Sequence, residues 1–169
     1  MKKTDWSKFY QEGLVVEDKF IEMIGDSFIR KATRSEDGKE HWDILCKHGK
    51  VDVKGMKKAN RSDSKTNPDI HFYEFKNVEG KSGWGVPNNV KRMIAFESTE
   101  GFILVDPEDI YQPLIDKCKI HKEGWGFFQC RGREGRDDWF TKLPTEFLRE
   151  YSCGIVEPVS GIRLYNKRD

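Results

Sequence analysis

A mixed α/β fold of the α+β kind is predicted by three features of the sequence. A segment near the start carries apolar residues at helical spacing, short alternating or wholly apolar runs follow it, and further helical segments come towards the end. The chain of 169 residues fits a single domain, 1–169. Only 36% of it is hydrophobic, but 11 Phe, 5 Trp and 5 Tyr supply the large apolar surfaces that a core needs.

The first helix is predicted over 13–24. At about 100° per residue, Met23, Val16, Phe20, Ile24, Ile21 and Leu14 share one broad arc, and Gly25 is a natural stop. Glu17 projects from the same arc, so its carboxylate needs a cation, a donor or a metal as partner. Next, Trp42-Asp43-Ile44-Leu45-Cys46 and Val51-Asp52-Val53-Lys54 alternate apolar and polar residues around a glycine-containing turn, which predicts a β-hairpin. With His48 and Gly49 as turn residues, Cys46 would pair with Val51 and Asp43 would face Lys54. Trp42, Ile44, Cys46, Val51 and Val53 then form one face, and Asp43, Asp52 and Lys54 gather on the other.

A third strand is predicted at Ile70-His71-Phe72-Tyr73-Glu74-Phe75-Lys76, with Glu74 and Lys76 on a common side. Short apolar strands follow at 93–96 and 101–105. A helix is expected over 109–118, with Pro113 in its first turn or breaking it. The stretches 125–130 and 139–140 read as strand or loop, and 144–151 as a short helix with proline in its first turn. Loop residues cluster at 55–68, 79–89 and 131–138.

Thirty Lys and Arg against 29 Asp and Glu leave a net charge of +1, which excludes a protein that coats nucleic acid through its overall charge. The sum hides a segment, 47–65, with seven basic and two acidic residues, set against an acidic remainder. No run approaches the roughly 18 apolar residues of a membrane span, and the N-terminus has no export signal, so a soluble, intracellular, cytoplasmic protein without membrane partners is expected. Cys46, Cys118, Cys130 and Cys153 form no Cys-x-x-Cys pair and read as reduced, buried thiols; Cys118, His121 and Cys130 lack a fourth zinc ligand.

Two carboxylates and a lysine on one hairpin face, with a glutamate on the preceding helix, converge as ordinary surface charges do not. Carboxylate oxygens are the ligands hard divalent cations prefer, and Mg²⁺ takes one or two of them while keeping several waters. A compact ammonium beside such an ion can orient or deprotonate a water and neutralise charge on phosphorus. This set of groups suits phosphodiester hydrolysis and calls for no nucleotide cofactor.

Glu17 on a helix, Asp43 on a strand and Asp52-Val53-Lys54 on the next strand resemble the PD-(D/E)XK nuclease superfamily. The resemblance covers residues 13–105 and implies a restriction-endonuclease-like core, a mixed β-sheet flanked by helices, with 106–169 as a C-terminal elaboration. It further implies that Asp43, Asp52 and the Val53 carbonyl bind Mg²⁺ (or Mn²⁺), that Lys54 acts on the attacking water, and that Glu17 supports the site or holds a second ion. Trp42 stands where the family often has proline. Glu74-Phe75-Lys76 is a second acid-x-Lys triplet, so a rival register would use Asp52 as the first acid with Glu74 and Lys76 as the second pair. The tight hairpin favours the first register, leaving Glu74 and Lys76 on the neighbouring strand to flank the metal or touch substrate. Val51 to Lys58, with Glu74-Phe75-Lys76-Asn77 and Gly83-Trp84-Gly85, is also similar to nuclease-like proteins of phages and large viruses, which would place the chain in a host cell's cytoplasm.

Lys57, Lys58, Arg61 and Lys65 follow the catalytic triplet and are expected to grip a phosphate backbone, with Trp84 as a stacking aromatic on a second loop. Arg131, Arg133 and Arg136 are offset by Glu134, Asp137 and Asp138 and read as a salt-bridged turn. The expected function is therefore a Mg²⁺-dependent endodeoxyribonuclease that recognises DNA structure, as a Holliday-junction resolvase or a nicking enzyme does. Cutting two strands would call for a homodimer. The alternatives are a catalytically silent nuclease-fold protein that binds nucleic acid or protein, and an RNA endonuclease of the same fold.

Overall fold

The computed structural model describes residues 3–60, 63–120, 124 and 126–165, and for 3–9 the backbone alone. Its elements run α1 (Lys3–Ile24), β1 (Phe28–Lys31), α2 (Arg34–Glu40), β2 (Ile44–Cys46), β3 (Gly49–Lys54), β4 (Ile70–Lys76), β5 (Arg92–Glu97), β6 (Phe102–Val105), α3 (Pro107–Ile120), β7 (Trp139–Pro144), α4 (Thr145–Glu150), β8 (Ser152–Glu157) and β9 (Gly161–Leu164). The class is mixed α/β. Seven strands form one sheet in the order β1-β2-β3-β5-β6-β8-β9, while β4 and β7 form a separate antiparallel pair. The large sheet is mixed, because β1, β2 and β3 run antiparallel in turn whereas β3 and β5 are parallel.

The chain passes between two compact units. The first comprises Met1–Gly55, Arg92–Leu104 and Cys153–Asp169, the second Met56–Lys91 and Val105–Ser152. In the first, α1 lays Phe20 and Ile24, flanked by Val16, Ile21 and Met23, on Ile44, Cys46, Val51, Val53, Ala95, Phe102, Leu104 and Val156. The Phe20 and Phe102 rings meet edge to face at 5.1 Å. Helix α1 begins well before residue 13; Gly13 sits in its interior with open space around it and does not interrupt it. Gly25, at φ 49°, ends the helix as the sequence predicts.

The hairpin forms, with a different register. Cys46 pairs with Gly49, Leu45 with Lys50 and Ile44 with Val51, so Lys47 and His48 are the turn residues and Asp43 lies across from Asp52 instead of Lys54. Gly49 takes φ 123°, a conformation that glycine allows and that starts β3 earlier than expected. Because the slip is two residues, the faces are preserved. Trp42 is buried but lies outside the α1-facing cluster: its ring is flanked by Arg30 at 5.0 Å and Lys50 at 4.9 Å, and its indole N–H donates to Glu40 at 2.9 Å.

In the second unit β4 and β7 pair from Ile70 opposite Pro144 to Lys76 opposite Trp139. The loop after β4 folds back on it: Gly83 N–H donates to Phe75 O at 2.9 Å and Gly85 N–H to Glu74 O at 3.0 Å. A Cβ on Gly83 would lie 2.6 Å from Glu74 O, and one on Gly85 would strike the Tyr73 ring, so both positions require glycine. Helix α3 starts at Pro107, with Asp106 Oδ1 accepting Glu108 N–H at 3.0 Å, and continues through Pro113, which neither opens nor breaks it. Helix α4 begins after Pro144, which is its N-cap and not a residue of its first turn. Elements β1, α2, β8 and β9 were not predicted.

His71 in β4 is 3% exposed, its Nε2 is 3.0 Å from Thr145 Oγ1, and burial lowers its pKa to about 4. An unfolded histidine takes up a proton near 6.5, the folded one only near 4, so between these values the unfolded state binds more protons and stability rises with pH. The stabilisation is full above about 6.5 and lost as the pH falls towards 4, at most about 3 kcal/mol. Urea midpoints from pH 4 to 7 should show this limb in the wild type and a flatter one in His71→Gln; parallel limbs would contradict it.

Candidate active site

Asp43 is held by backbone on both sides. Its N–H donates to Val51 O at 2.9 Å, its O accepts Ala32 N–H at 2.7 Å, and its Oδ2 accepts Val53 N–H at 2.7 Å. The carboxylate is thus fixed on β3 beside Asp52. Asp52 is 2% exposed; one of its oxygens, Oδ1, lies 2.5 Å from Lys54 Nζ, and the other, Oδ2, is buried without a hydrogen-bond partner among the described residues. Burial, reinforced by the Asp43 charge and opposed by Lys54, raises the Asp52 pKa to about 7. Burial alone would lower the pKa of Lys54, but Asp52, Asp43 and Asp37 outweigh it and keep the ammonium charged above its ordinary range.

Glu17 is half-buried and sits 3.2 Å from Lys31 Nζ, which also contacts Asp18 at 2.8 Å. Burial first, then the Asp43 charge, raise its pKa, against the Lys31 contact. The structure therefore brings Glu17, Asp43, Asp52 and Lys54 into one electrostatic group. Two residues join it that sequence reasoning missed. Asp37 of α2 is raised by burial and by Asp43, and lowered by Lys54. His41, at φ 56°, is lowered by burial and by the charges of Arg92 and Lys54. The available signal was the Thr33-x-x-Glu36 spacing of a capping box, which the structure contains in full.

Glu74 and Lys76 are not on the neighbouring strand. The partners of β3 are β2 and β5, whereas β4 pairs with β7, so the rival triplet shares no ladder with Asp52. Glu74 Oε2 accepts Trp84 N–H at 3.4 Å, and Lys76 is exposed. Trp84 is half-buried with its ring 5.4 Å from Tyr73, a contact that ties its loop to β4. Lys57, Lys58 and Lys65 are exposed; Arg61, His121 and Trp125 lie outside the described residues. Arg133 pairs with the buried Asp138, as the salt-bridged turn predicts. All four cysteines are free, and Cys118, hydrogen-bonded to Cys130, has its pKa raised by that bond and by burial.

No three described His, Cys, Asp or Glu side chains form a ready-made metal cage. A Mg²⁺ ion needs less, since one or two carboxylates, a carbonyl and waters suffice. The donor chemistry here fits that demand: all-oxygen ligands, one of them the buried and unsatisfied Asp52 Oδ2 across from Asp43. No family model, curated protein or solved structure matches the chain.

Proposed function

We propose that this chain is a divalent-metal-dependent endonuclease acting on DNA and selecting substrates by structure, in the manner of a junction resolvase or nicking enzyme. The observation that carries the reading is the Asp52 carboxylate, buried, raised to about 7 and left with an unpartnered oxygen between Asp43 and Lys54. Lys54 covers one oxygen only, and a buried carboxylate oxygen without a partner is costly unless a second cation or a donor completes it.

Asp43 and Asp52, with the Val53 carbonyl, would hold Mg²⁺ or Mn²⁺. When bound, the ion supplies a Lewis acid for a non-bridging phosphate oxygen. Asp43 arrives preset, because the Val53 amide fixes it before any ion binds. Lys54, kept protonated by its acidic neighbours, serves as a hydrogen-bond donor and positive charge for the phosphorus oxygens more than as a base. Glu17 supports the group from α1, in exchange with Lys31. The exposed Lys57, Lys58 and Lys65 supply sequence-independent phosphate contacts.

The test is cleavage of supercoiled plasmid, single-stranded and branched DNA, with Mg²⁺ or Mn²⁺ against EDTA. Metal-dependent nicking is expected; binding without cleavage of any substrate would point to a silent nucleic-acid-binding protein, and cleavage of RNA alone to a ribonuclease. Reversing Lys57, Lys58 and Lys65 to glutamate should weaken DNA binding with kcat unchanged. The slope of log affinity on log salt should become shallower by about 0.9 for each phosphate that the variant no longer neutralises, and an unchanged slope would remove these lysines from the interface.

A further inference from the structure

The four cysteines divide by what their sulfurs touch. Cys46 and Cys153 pack in or against the core of the first unit and spend their thiols on backbone, Cys46 Sγ donating to Gly49 O at 3.3 Å and Cys153 Sγ to Leu104 O at 3.5 Å. Cys118 and Cys130, both half-buried in the second unit, hydrogen-bond to each other. Distances on either side of the pair fix the encounter. Next to Cys118 at the end of α3, Lys117 Nζ lies 5.4 Å from the centre of the Phe128 ring and 5.8 Å from that of Phe147. The segment that carries Cys130 is tied to β7: Phe128 N–H donates to Lys142 O at 2.9 Å, Arg131 N–H to Phe140 O at 2.9 Å, and Thr141 Oγ1 to Gln129 O at 3.1 Å. The Thr141 side chain also hydrogen-bonds to Cys118, so one residue of β7 touches both arms.

The end of α3 and the segment before β7 are thus held together by contacts other than the sulfurs, and the two thiols meet between them. Bond formation requires such an arrangement, because cysteines that the backbone points apart cannot close without moving it. We propose that Cys118 and Cys130 form a reversible disulfide, a dithiol that a low-molecular-weight disulfide oxidises within the folded chain. This modification site is independent of the proposed function, whose residues Asp43, Asp52 and Lys54 belong to the first unit.

With glutathione disulfide as the oxidant the step balances. The thiolate of one cysteine attacks a sulfur of glutathione disulfide; a protein–glutathione S–S bond forms, the glutathione S–S bond breaks, and one glutathione thiolate leaves. The second cysteine, as its thiolate, attacks the protein sulfur of that mixed disulfide, closes an S–S bond of about 2.05 Å and expels the second glutathione thiolate. Two cysteine sulfurs are oxidised, two glutathione sulfurs are reduced, and the two thiol protons end on the glutathione released. The contact between the thiols sets the order. The hydrogen bond to Cys130, and burial after it, hold Cys118 protonated, so Cys130 is the sulfur that attacks first. Once Cys130 carries glutathione, the chief cause that held the Cys118 proton is gone, and Cys118 can ionise and resolve the intermediate.

The experiment equilibrates the full chain, native and in concentrated urea, with buffers of reduced and oxidised glutathione at pH 8. Acid quenches the exchange, the remaining thiols are alkylated, and the products are mapped by mass spectrometry after trypsin, which cuts behind Lys117, Lys119, Lys122 and Arg131. The native wild type should lose two of its four thiols, retain no glutathione, and yield Cys118-Lys119 joined to 123–131. The squared concentration of reduced glutathione divided by that of the oxidised form, taken where this pair is half-oxidised, should be about tenfold higher for the native chain than in urea, where only the tether between the cysteines brings them together. Cys118→Ser cannot resolve the intermediate and should stop with one glutathione on Cys130. The proposal is overturned if both cysteines of the native chain stay reduced, if either ends as a lasting glutathione adduct, or if either pairs with Cys46 or Cys153. A native half-oxidation ratio no higher than that in urea also overturns it, as does a folded Cys118→Ser that takes up no glutathione at Cys130.

Discussion

Alanine at Asp52 or at Lys54 should lower metal-dependent DNA cleavage by at least about 10²–10³-fold, the usual loss when one preorganised charge is removed from a reacting centre. Alanine at Lys76 should leave the rate close to wild type. The contrast follows from the strand pairing. Lys54 and Asp52 are two apart on β3, joined by a 2.5 Å ion pair, and Asp43 is locked to the same strand through the Val53 amide. Lys76 is exposed at the end of β4, which pairs with β7 in a different sheet. The two variants fail differently at the level of binding. Asp52→Ala should lose the thermal stabilisation by Mn²⁺ that ligand binding to the native state confers, whereas Lys54→Ala should keep it and lose the rate. If Lys76→Ala abolished cleavage and Lys54→Ala did not, the second triplet would be the working one.

Why the sequence led to this site and missed part of it can be traced to particular residues. The alternation of Asp43, Ile44 and Leu45 against Val51, Asp52 and Val53 sets which face each side chain takes, and a slip of two residues leaves that parity intact. The turn itself was not legible. Gly49 invites a place in the turn, yet at φ 123° it opens β3, and Lys47 with His48 make the turn. Asp43 consequently lies across from Asp52 and not Lys54, which sets two carboxylates side by side.

The seven residues of α2 are too few to show a periodic apolar face, although the Thr33 and Glu36 of its capping box stand at the diagnostic spacing. Losing α2 meant losing Asp37. The placement of Glu74 beside the site failed for another reason. Consecutive strands pair often enough to be the default, but here the chain leaves the large sheet after Lys54 and returns at Arg92, and β5 takes the place beside β3. Nothing local to 70–76 records that its partner is 139–144. Glu17, by contrast, lies on the helix that the apolar spacing predicts, but its partner Lys31 lies on β1, a strand with no alternation to reveal it.

Asparagine at Asp52 should make the metal-free protein more stable at pH 8 than the wild type while removing its response to Mn²⁺. The sign follows from the raised pKa. In the unfolded chain this carboxyl ionises near its ordinary 3.8; in the folded chain burial holds the proton until about 7. Between those values the folded state binds more protons than the unfolded state, so the contribution of Asp52 to stability falls as the pH rises and is gone above about 7. The value of about 7 already includes the Lys54 ion pair, so the gain of Asp52→Asn should grow by about 2–3 kcal/mol between pH 5 and pH 8, at about 1.4 kcal/mol for each pH unit up to 7. At pH 5 it should shrink towards zero. Taking wild type and variant at the same pH cancels the opposite slope that His71 contributes to both. Urea midpoints in EDTA at pH 5 and pH 8 provide the measurement, and a variant less stable than wild type at pH 8 would mean that Asp52 is satisfied in the fold without a cation. Adding Mn²⁺ at pH 8 should reverse the order, because only the wild type then has a carboxylate to complete. The wild-type Mn²⁺ affinity should weaken by about tenfold for each pH unit below 7, as the proton and the ion compete for the same oxygens.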